Sequence, residues 1–168
     1  QPVLSHTRRY RLQDSPYIYT NGIHGAYVEV DVDTGWIRHL KHWVVEDCGR
    51  IINPQLADEQ IRGGAVQGLG GALYEHCIYD DYGQLQNGTM ADYVTPMAFE
   101  MPDIEVGHVE TPTSESELGA KGAGESGTGA APGVMMNAVN DAIKPLTSGR
   151  VKEQPITPEI VLKALGKI

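Results

Sequence analysis

Gly119-Ala120-Lys121-Gly122-Ala123-Gly124-Glu125-Ser126-Gly127-Thr128-Gly129 sets five glycines around one lysine and one glutamate and runs straight into a helical pattern. A flexible linker would be Gly/Ser-rich without an isolated acid. Here small residues stand where a backbone must approach a ligand, and a single carboxylate stands where a proton could be taken. The stretch therefore reads as an active-site loop with Glu125 as its candidate general base. Gly122, Gly124 and Gly127 also meet the spacing of the dinucleotide fingerprint. That fingerprint should follow a buried strand in a first βαβ unit, whereas this loop follows the polar segment 113–118 near the carboxyl end. Glu125 inside the pattern would repel a pyrophosphate, and no Gly-Lys-Ser/Thr ends it as a Walker loop requires.

Upstream, residues 26–32 and 36–47 are rich in β-branched and aromatic side chains and flank Asp33-Thr34-Gly35, which predicts a β-hairpin. Asn53-Pro54 supplies an N-cap followed by proline at the first helical position, so a helix is expected to about His76. On it Gln60, Gly64, Gln67 and Gly71 share one face, and Ile61, Ala65, Leu69 and Ala72 another. Gly63, Gly64, Gly68, Gly70 and Gly71 each lower helix propensity by up to about 1 kcal/mol relative to alanine. Tight packing through small residues or a cofactor lying against the helix would each account for them. In the second case the Gln67 amide, both donor and acceptor, suits an oxo group or a pterin edge. Short strands are expected at 77–79 and 84–86, a strand at 104–110, a second helix at 128–143 with Ala, Val and Met on its buried side, and a short terminal helix from Pro158 to about Leu165. Together these give an α+β class: mixed sheets packed with Gly-rich helices.

Composition narrows the function. A chain of 168 residues, 40% hydrophobic and 21% charged, suggests one soluble domain with a real core. Net charge −9 and no long basic run exclude a nucleic-acid footprint. No apolar stretch reaches the roughly 20 residues of a membrane span. Cys48 and Cys77 are too few for a disulfide framework and have no metal or cluster spacing, so a reducing, cytoplasmic setting is expected. The chain opens on Gln1, and residues 1–22 read as a lead-in continuing from a longer chain, followed by a domain over 23–168. His39 and His42, three apart on a strand, should face opposite sides as surface residues and share no metal. Cys48 reads as a small buried side chain beside a turn. Tyr93, Phe99 and Met101 could line a substrate funnel or pack in the core.

Three separated motifs resemble a known family. They are Val28-Glu29-Val30-Asp31 through Thr34-Gly35, then Asp47-Cys48-Gly49-Arg50-Ile51-Ile52-Asn53-Pro54 joined to Gly63-Gly64-Ala65-Val66-Gln67-Gly68-Leu69-Gly70, and then Lys121-Gly122-Ala123-Gly124-Glu125. In order and spacing the chain, from about Gly22 to its end, resembles the carboxyl-terminal part of the large, molybdopterin-binding subunit of the molybdenum hydroxylases. This family includes xanthine dehydrogenase, aldehyde oxidoreductase and aerobic carbon monoxide dehydrogenase, and the bacterial three-subunit type is the nearest.

The resemblance implies molybdenum held by molybdopterin, in the cytosine dinucleotide form, with no protein side chain as a metal ligand. Gln67 and Gly68 match the family's contact to the cofactor near the metal, and Lys121, Gly122, Ala123 and Gly124 match the loop whose backbone faces it. Glu125 matches the family's base, which activates the water-derived oxygen that attacks the substrate. It further implies 2Fe-2S clusters and FAD on an iron-sulfur subunit and a flavin subunit, or on other domains, within an oligomeric assembly that also contains the remainder of the large subunit. The substrate would be an aldehyde, an N-heterocycle or carbon monoxide, and the upstream segments that distinguish them are not in this stretch. The chain alone is expected to be inactive. Two other readings stand beside this one: a noncatalytic binding or assembly module that keeps the scaffold, and a nucleotide-binding domain using 122–127.

Overall fold

A computed structural model describes residues 3–11 and 17–168; positions 1, 2 and 12–16 of the expected lead-in lie outside the described residues. Strand β1 (Asn21–Val30) and strand β2 (Ile37–Asp47) pair antiparallel. The turn between them forms as its sequence predicts. The Asp31 carboxylate accepts the amides of Asp33 and Thr34 at 2.8 and 3.2 Å, and Gly35, at φ +75°, donates to Asp31 O at 2.8 Å. β1 starts five residues before the expected 26. Asn21, Gly22 and Gly25 have little strand propensity of their own, but each finds a partner on β2, and pairing outweighs propensity. Strand β3 (Ile104–His108) lies parallel on the other side of β2, making a mixed three-stranded sheet in the order β1-β2-β3.

Helix α1 (Pro54–Leu73) begins at the expected cap: Asn53 Oδ1 accepts the Leu56 amide at 3.2 Å. Helix α2 (Ala131–Ile143) packs on α1 and β1, burying Ala131, Met135, Val139 and Ile143 at the helical repeat. It starts three residues later than expected, because 124–130 continues as turn. Helix α3 (Pro158–Ala164), capped by Thr157, adds Val161 to the same core. That core joins Leu69 and Ala72 of α1 to α2 and α3. A second core, Val44, Cys48, Ile61, Ala65 and Ile104, joins the sheet to the first half of α1. Each large apolar side chain buried there contributes about 1.5–3 kcal/mol.

The α+β arrangement of a mixed sheet and Gly-rich helices is thus present. The segments 77–79 and 84–86 form only a single bridge, Tyr79 to Leu85, rather than strands. The outer face of the sheet stays open, with Ile23, Tyr27, Trp43 and Val45 exposed.

His39 and His42 correct the expectation of surface residues on opposite sides. Both are buried, His42 completely, and their rings meet edge to face. The cause is a bulge: Tyr27 pairs with Lys41 and Val28 with His39, leaving Leu40 extra. One inserted residue shifts the side-chain alternation by one, so positions three apart come to share the inward face.

Candidate active site

The glycine loop is stitched to the end of β2 by backbone and side chain together. Lys121 N donates to Cys48 O at 2.8 Å, Arg50 N to Gly119 O at 3.0 Å, and Gly122 N to Ile18 O at 2.9 Å. Asp47, the last residue of β2, accepts from the amides of Gly49 and Thr111 at 2.9 and 3.0 Å and from Lys121 Nζ at 3.1 Å. Hydrogen bonds from Thr111 first, then from the Gly49 amide and the Lys121 ammonium, hold the Asp47 carboxyl well below the usual carboxylate range. The sequence reading missed Asp47 as an anchor. Its signal was an acid placed directly before the turn-forming Cys48-Gly49.

The second half of the loop lies on α1. Gly64 and Gly68 are buried, and a Cβ on either would collide with the loop backbone, at Ser126 O and Thr128 O respectively. Gly70 is filled by the Glu75 side chain, which Tyr93 Oη clasps at 2.7 Å. Packing through small residues therefore explains Gly64, Gly68 and Gly70. It does not explain Gly63 and Gly71, where a Cβ would meet nothing within 4 Å. These two lie four residues either side of Gln67, which is exposed and makes no hydrogen bond among the described residues. Gln60 of the same helix reaches the loop, donating to Gly124 O at 2.7 Å.

Glu125 sits at the exposed crest, its carboxylate without a partner among the described residues. Both flanks are pinned: Gly124 O before it accepts from Gln60, and after it Ser126 Oγ lies 3.3 Å from Cys48 Sγ and Gly127 N donates to Glu46 Oε1 at 3.1 Å. Gly127 adopts φ +85°, and a Cβ there would stand 2.6 Å from Ile61 O, so only glycine fits. Among the described residues the amides of Ala123, Gly124 and Glu125 have no partner, whereas those of Lys121 and Gly122 are used internally. A groove of about 420 Å³ runs beside them, lined by Arg50, Ile52, Leu56, Gln60, Lys121 and Gly124 among others. Thr128 Oγ1 is buried with no hydrogen-bond partner.

The remaining tempting groups resolve simply. Cys48 is buried between two hydroxyls, as a small core side chain. Met101 packs against the core, Phe99 points fully outward, and Tyr93 is tied to Glu75. Among the described residues no three His, Cys, Asp or Glu side chains converge to hold a metal ion. No helix there is long and apolar enough to cross a membrane.

A glycine-faced helix thus stands beside a loop that presents free amides and a lone acid, and comparison with known proteins gives the chain a family. The molybdopterin cofactor-binding domain model matches residues 1–102, and the chain belongs to that family. The nicotine 6-hydroxylase large subunit of Paenarthrobacter nicotinovorans is 43% identical over 164 residues, 98% of this chain and 20% of that protein. The carbon monoxide dehydrogenase large chain of Afipia carboxidovorans is 32% identical over 134 residues, 80% of this chain and 17% of that one. Among solved structures, quinoline 2-oxidoreductase from Pseudomonas putida 86 superposes with a TM-score of 0.83 at 42% identity, over 88% of this chain and 19% of that one. The chain thus spans about a fifth of the length of the curated relatives it matches. Gln67 and Gly68 fall inside the family match; the Glu125 loop lies beyond it.

Proposed function

We propose that the chain is the carboxyl-terminal cofactor-binding part, residues 23–168, of a molybdenum hydroxylase large subunit, with 1–22 leading in from upstream. In this reading Glu125 is the general base. Gln67, Gly68 and the loop Lys121, Gly122, Ala123 and Gly124 form one wall of a molybdopterin site, the cofactor being the cytosine dinucleotide. When bound, that group supplies a two-electron acceptor and the water-derived oxygen that enters the substrate.

The residues present fit such a group. Gly63 and Gly71 leave the Gln67 face of α1 open to close approach, and the Gln67 amide is free to donate and accept. The unpaired amides of 123–125 offer donors to a polar cofactor edge, and Asp47 takes the Lys121 ammonium out of play, so the loop presents backbone rather than a cation. The single observation that carries the reading is the unpartnered Glu125 carboxylate on a loop pinned at both flanks. A base needs freedom to take a proton and a fixed place from which to take it.

Two relatives at 42–43% identity are named for nicotine and quinoline, which favours an N-heterocycle over an aldehyde or carbon monoxide as the substrate class. Electrons would leave through 2Fe-2S clusters and FAD on an iron-sulfur subunit and a flavin subunit, or on other domains, of a cytoplasmic assembly with the remainder of the large subunit. Elemental analysis for molybdenum, with mass spectrometry of co-purifying chains after tagging the polypeptide in its native host, tests this. Molybdenum together with iron and partner chains is the expected result; a chain recovered without molybdenum overturns it.

A further inference from the structure

Glu46 directly follows the apolar run Trp43-Val44-Val45, and its side chain is only 5% exposed. Gly22 pairs with it on β1, and a Cβ at Gly22 would collide with the carboxylate, so the glycine makes its berth. Oε2 accepts from Thr20 Oγ1 at 3.1 Å, and Oε1 accepts from Gly127 N at 3.1 Å, two residues from Glu125.

Behind Glu46 a row of three histidines runs along the inward face of the β1-β2 pair. His24 Nε2 lies 3.6 Å from Glu46 Oε1, His24 Nδ1 lies 3.0 Å from His42 Nε2, and His42 Nδ1 lies 3.3 Å from His39 Nε2, which also faces Lys41 O at 3.1 Å. Burial holds His42 at about 3 and His39 at about 4 and lowers His24 too, so all three rings are neutral at pH 7. A neutral row can run in two directions. If each ring carries its proton on Nε2, His39 donates toward Lys41 O and His42, His42 donates to His24, and the His24 Nε2–H is left 3.6 Å from the Glu46 carboxylate, an electrostatic contact longer than a hydrogen bond. In the reverse direction bare nitrogen lone pairs would face an acceptor at both ends, Lys41 O and Glu46. The partners at the ends therefore select the Nε2–H tautomer throughout.

We propose that Glu46 is a positioning residue for the Glu125 loop: backed by the His24–His42–His39 row, it holds the Gly127 amide and so fixes the crest that carries Glu125. This rests on the reading of Glu125 as the base. Glu46 touches neither substrate nor cofactor in this role; it acts through the backbone of the loop.

The test uses the assembled enzyme with Glu46→Leu, which removes the acceptor, and Glu46→Gln, which keeps an oxygen for Gly127 N and for His24 while removing the charge. Hydrogen exchange of the peptide covering 124–128 is read beside kcat, KM and molybdenum content. For Glu46→Leu, exchange at 124–128 rises while the α1 peptide 61–69 keeps its protection. Its kcat falls about 10- to 100-fold, the penalty of a misplaced group, with KM and molybdenum content close to wild type. Glu46→Gln restores both the exchange pattern and kcat. If Glu46→Leu does not assemble, Thr20→Val, which withdraws the hydroxyl that steadies Oε2, should shift exchange and kcat in the same direction by less.

Unchanged exchange at 124–128 in the assembled variant, or a Glu46→Gln enzyme as slow as Glu46→Leu, overturns the proposal. Glu125→Gln in the same assay separates the two ideas. Near-normal turnover there would remove Glu125 as the base, while the exchange of 124–128 would still decide whether Glu46 holds the loop.

Discussion

Asp47 concentrates much of the site's order in one carboxylate. Its Oδ1 gathers the Gly49 and Thr111 amides and its Oδ2 the Lys121 ammonium, so three separate segments converge on it. Asp47→Ala should raise hydrogen exchange across 119–124 by about an order of magnitude, the scale of losing a charge-assisted hydrogen bond. Unaltered exchange there would show that the backbone bonds at Cys48 and Gly119 suffice. Cysteine chemistry offers a simpler check. Cys77 is exposed and Cys48 is buried between Thr20 and Ser126, so a soluble alkylating reagent should label Cys77 and spare Cys48 in the folded protein. Equal labelling would mean that the second core opens readily.

At the scale of elements, the glycines of α1 divide into two kinds, and substitution should separate them. Gly64→Ala drives a methyl into Ser126 O, a backbone atom that cannot swing aside, and should destabilise the chain by about 1–3 kcal/mol. Gly71→Ala enters open space and should stabilise α1 by up to about 1 kcal/mol through helix propensity. If a cofactor approaches that face, Gly71→Ala also lowers the molybdenum content of the assembled enzyme. Thermal midpoints together with metal analysis read both effects. A Gly71→Ala enzyme that is more stable and fully loaded would place the cofactor elsewhere.

The same elements show what the sequence made legible. Asn53-Pro54 marked the start of α1 because cap and proline are local signals, and Asp33-Thr34-Gly35 marked the hairpin for the same reason. The bulge at Leu40 has no such signature, since it arises from cross-strand register, and with it the inward turn of His39 was lost. The Glu125 loop stood out by composition. The split between Gly64 and Gly71 depended on which side the loop returns to, a long-range fact invisible to periodicity. Glu46 did leave a trace, an acid directly after the apolar run Trp43-Val44-Val45, but its partner Gly127 lies 81 positions away.

For the whole molecule, buried histidines give stability a pH dependence of definite sign. His39 and His42 titrate near 4 and 3 in the folded chain against an ordinary value of 6.5. Below about 6.5 the unfolded chain binds protons that the folded one does not, so stability falls with pH, by up to about 1.4 kcal/mol per unit for each ring. Asp47, depressed in the folded state, contributes stability above its ordinary value of 3.8 that is lost as pH drops further. The thermal midpoint should therefore decline steadily from about pH 6.5 to 4. A flat profile over that range would mean the histidine row is hydrated.

The chain spans about a fifth of its relatives and leaves Ile23, Tyr27, Trp43 and Val45 exposed on one sheet face. The deciding measurement is the turnover of the complete, molybdenum-loaded enzyme carrying Glu125→Gln, with metal content determined on the same sample. Glu125 acting as the base predicts a loss of about two to four orders of magnitude at unchanged molybdenum content; near-normal turnover in a fully loaded variant would contradict it.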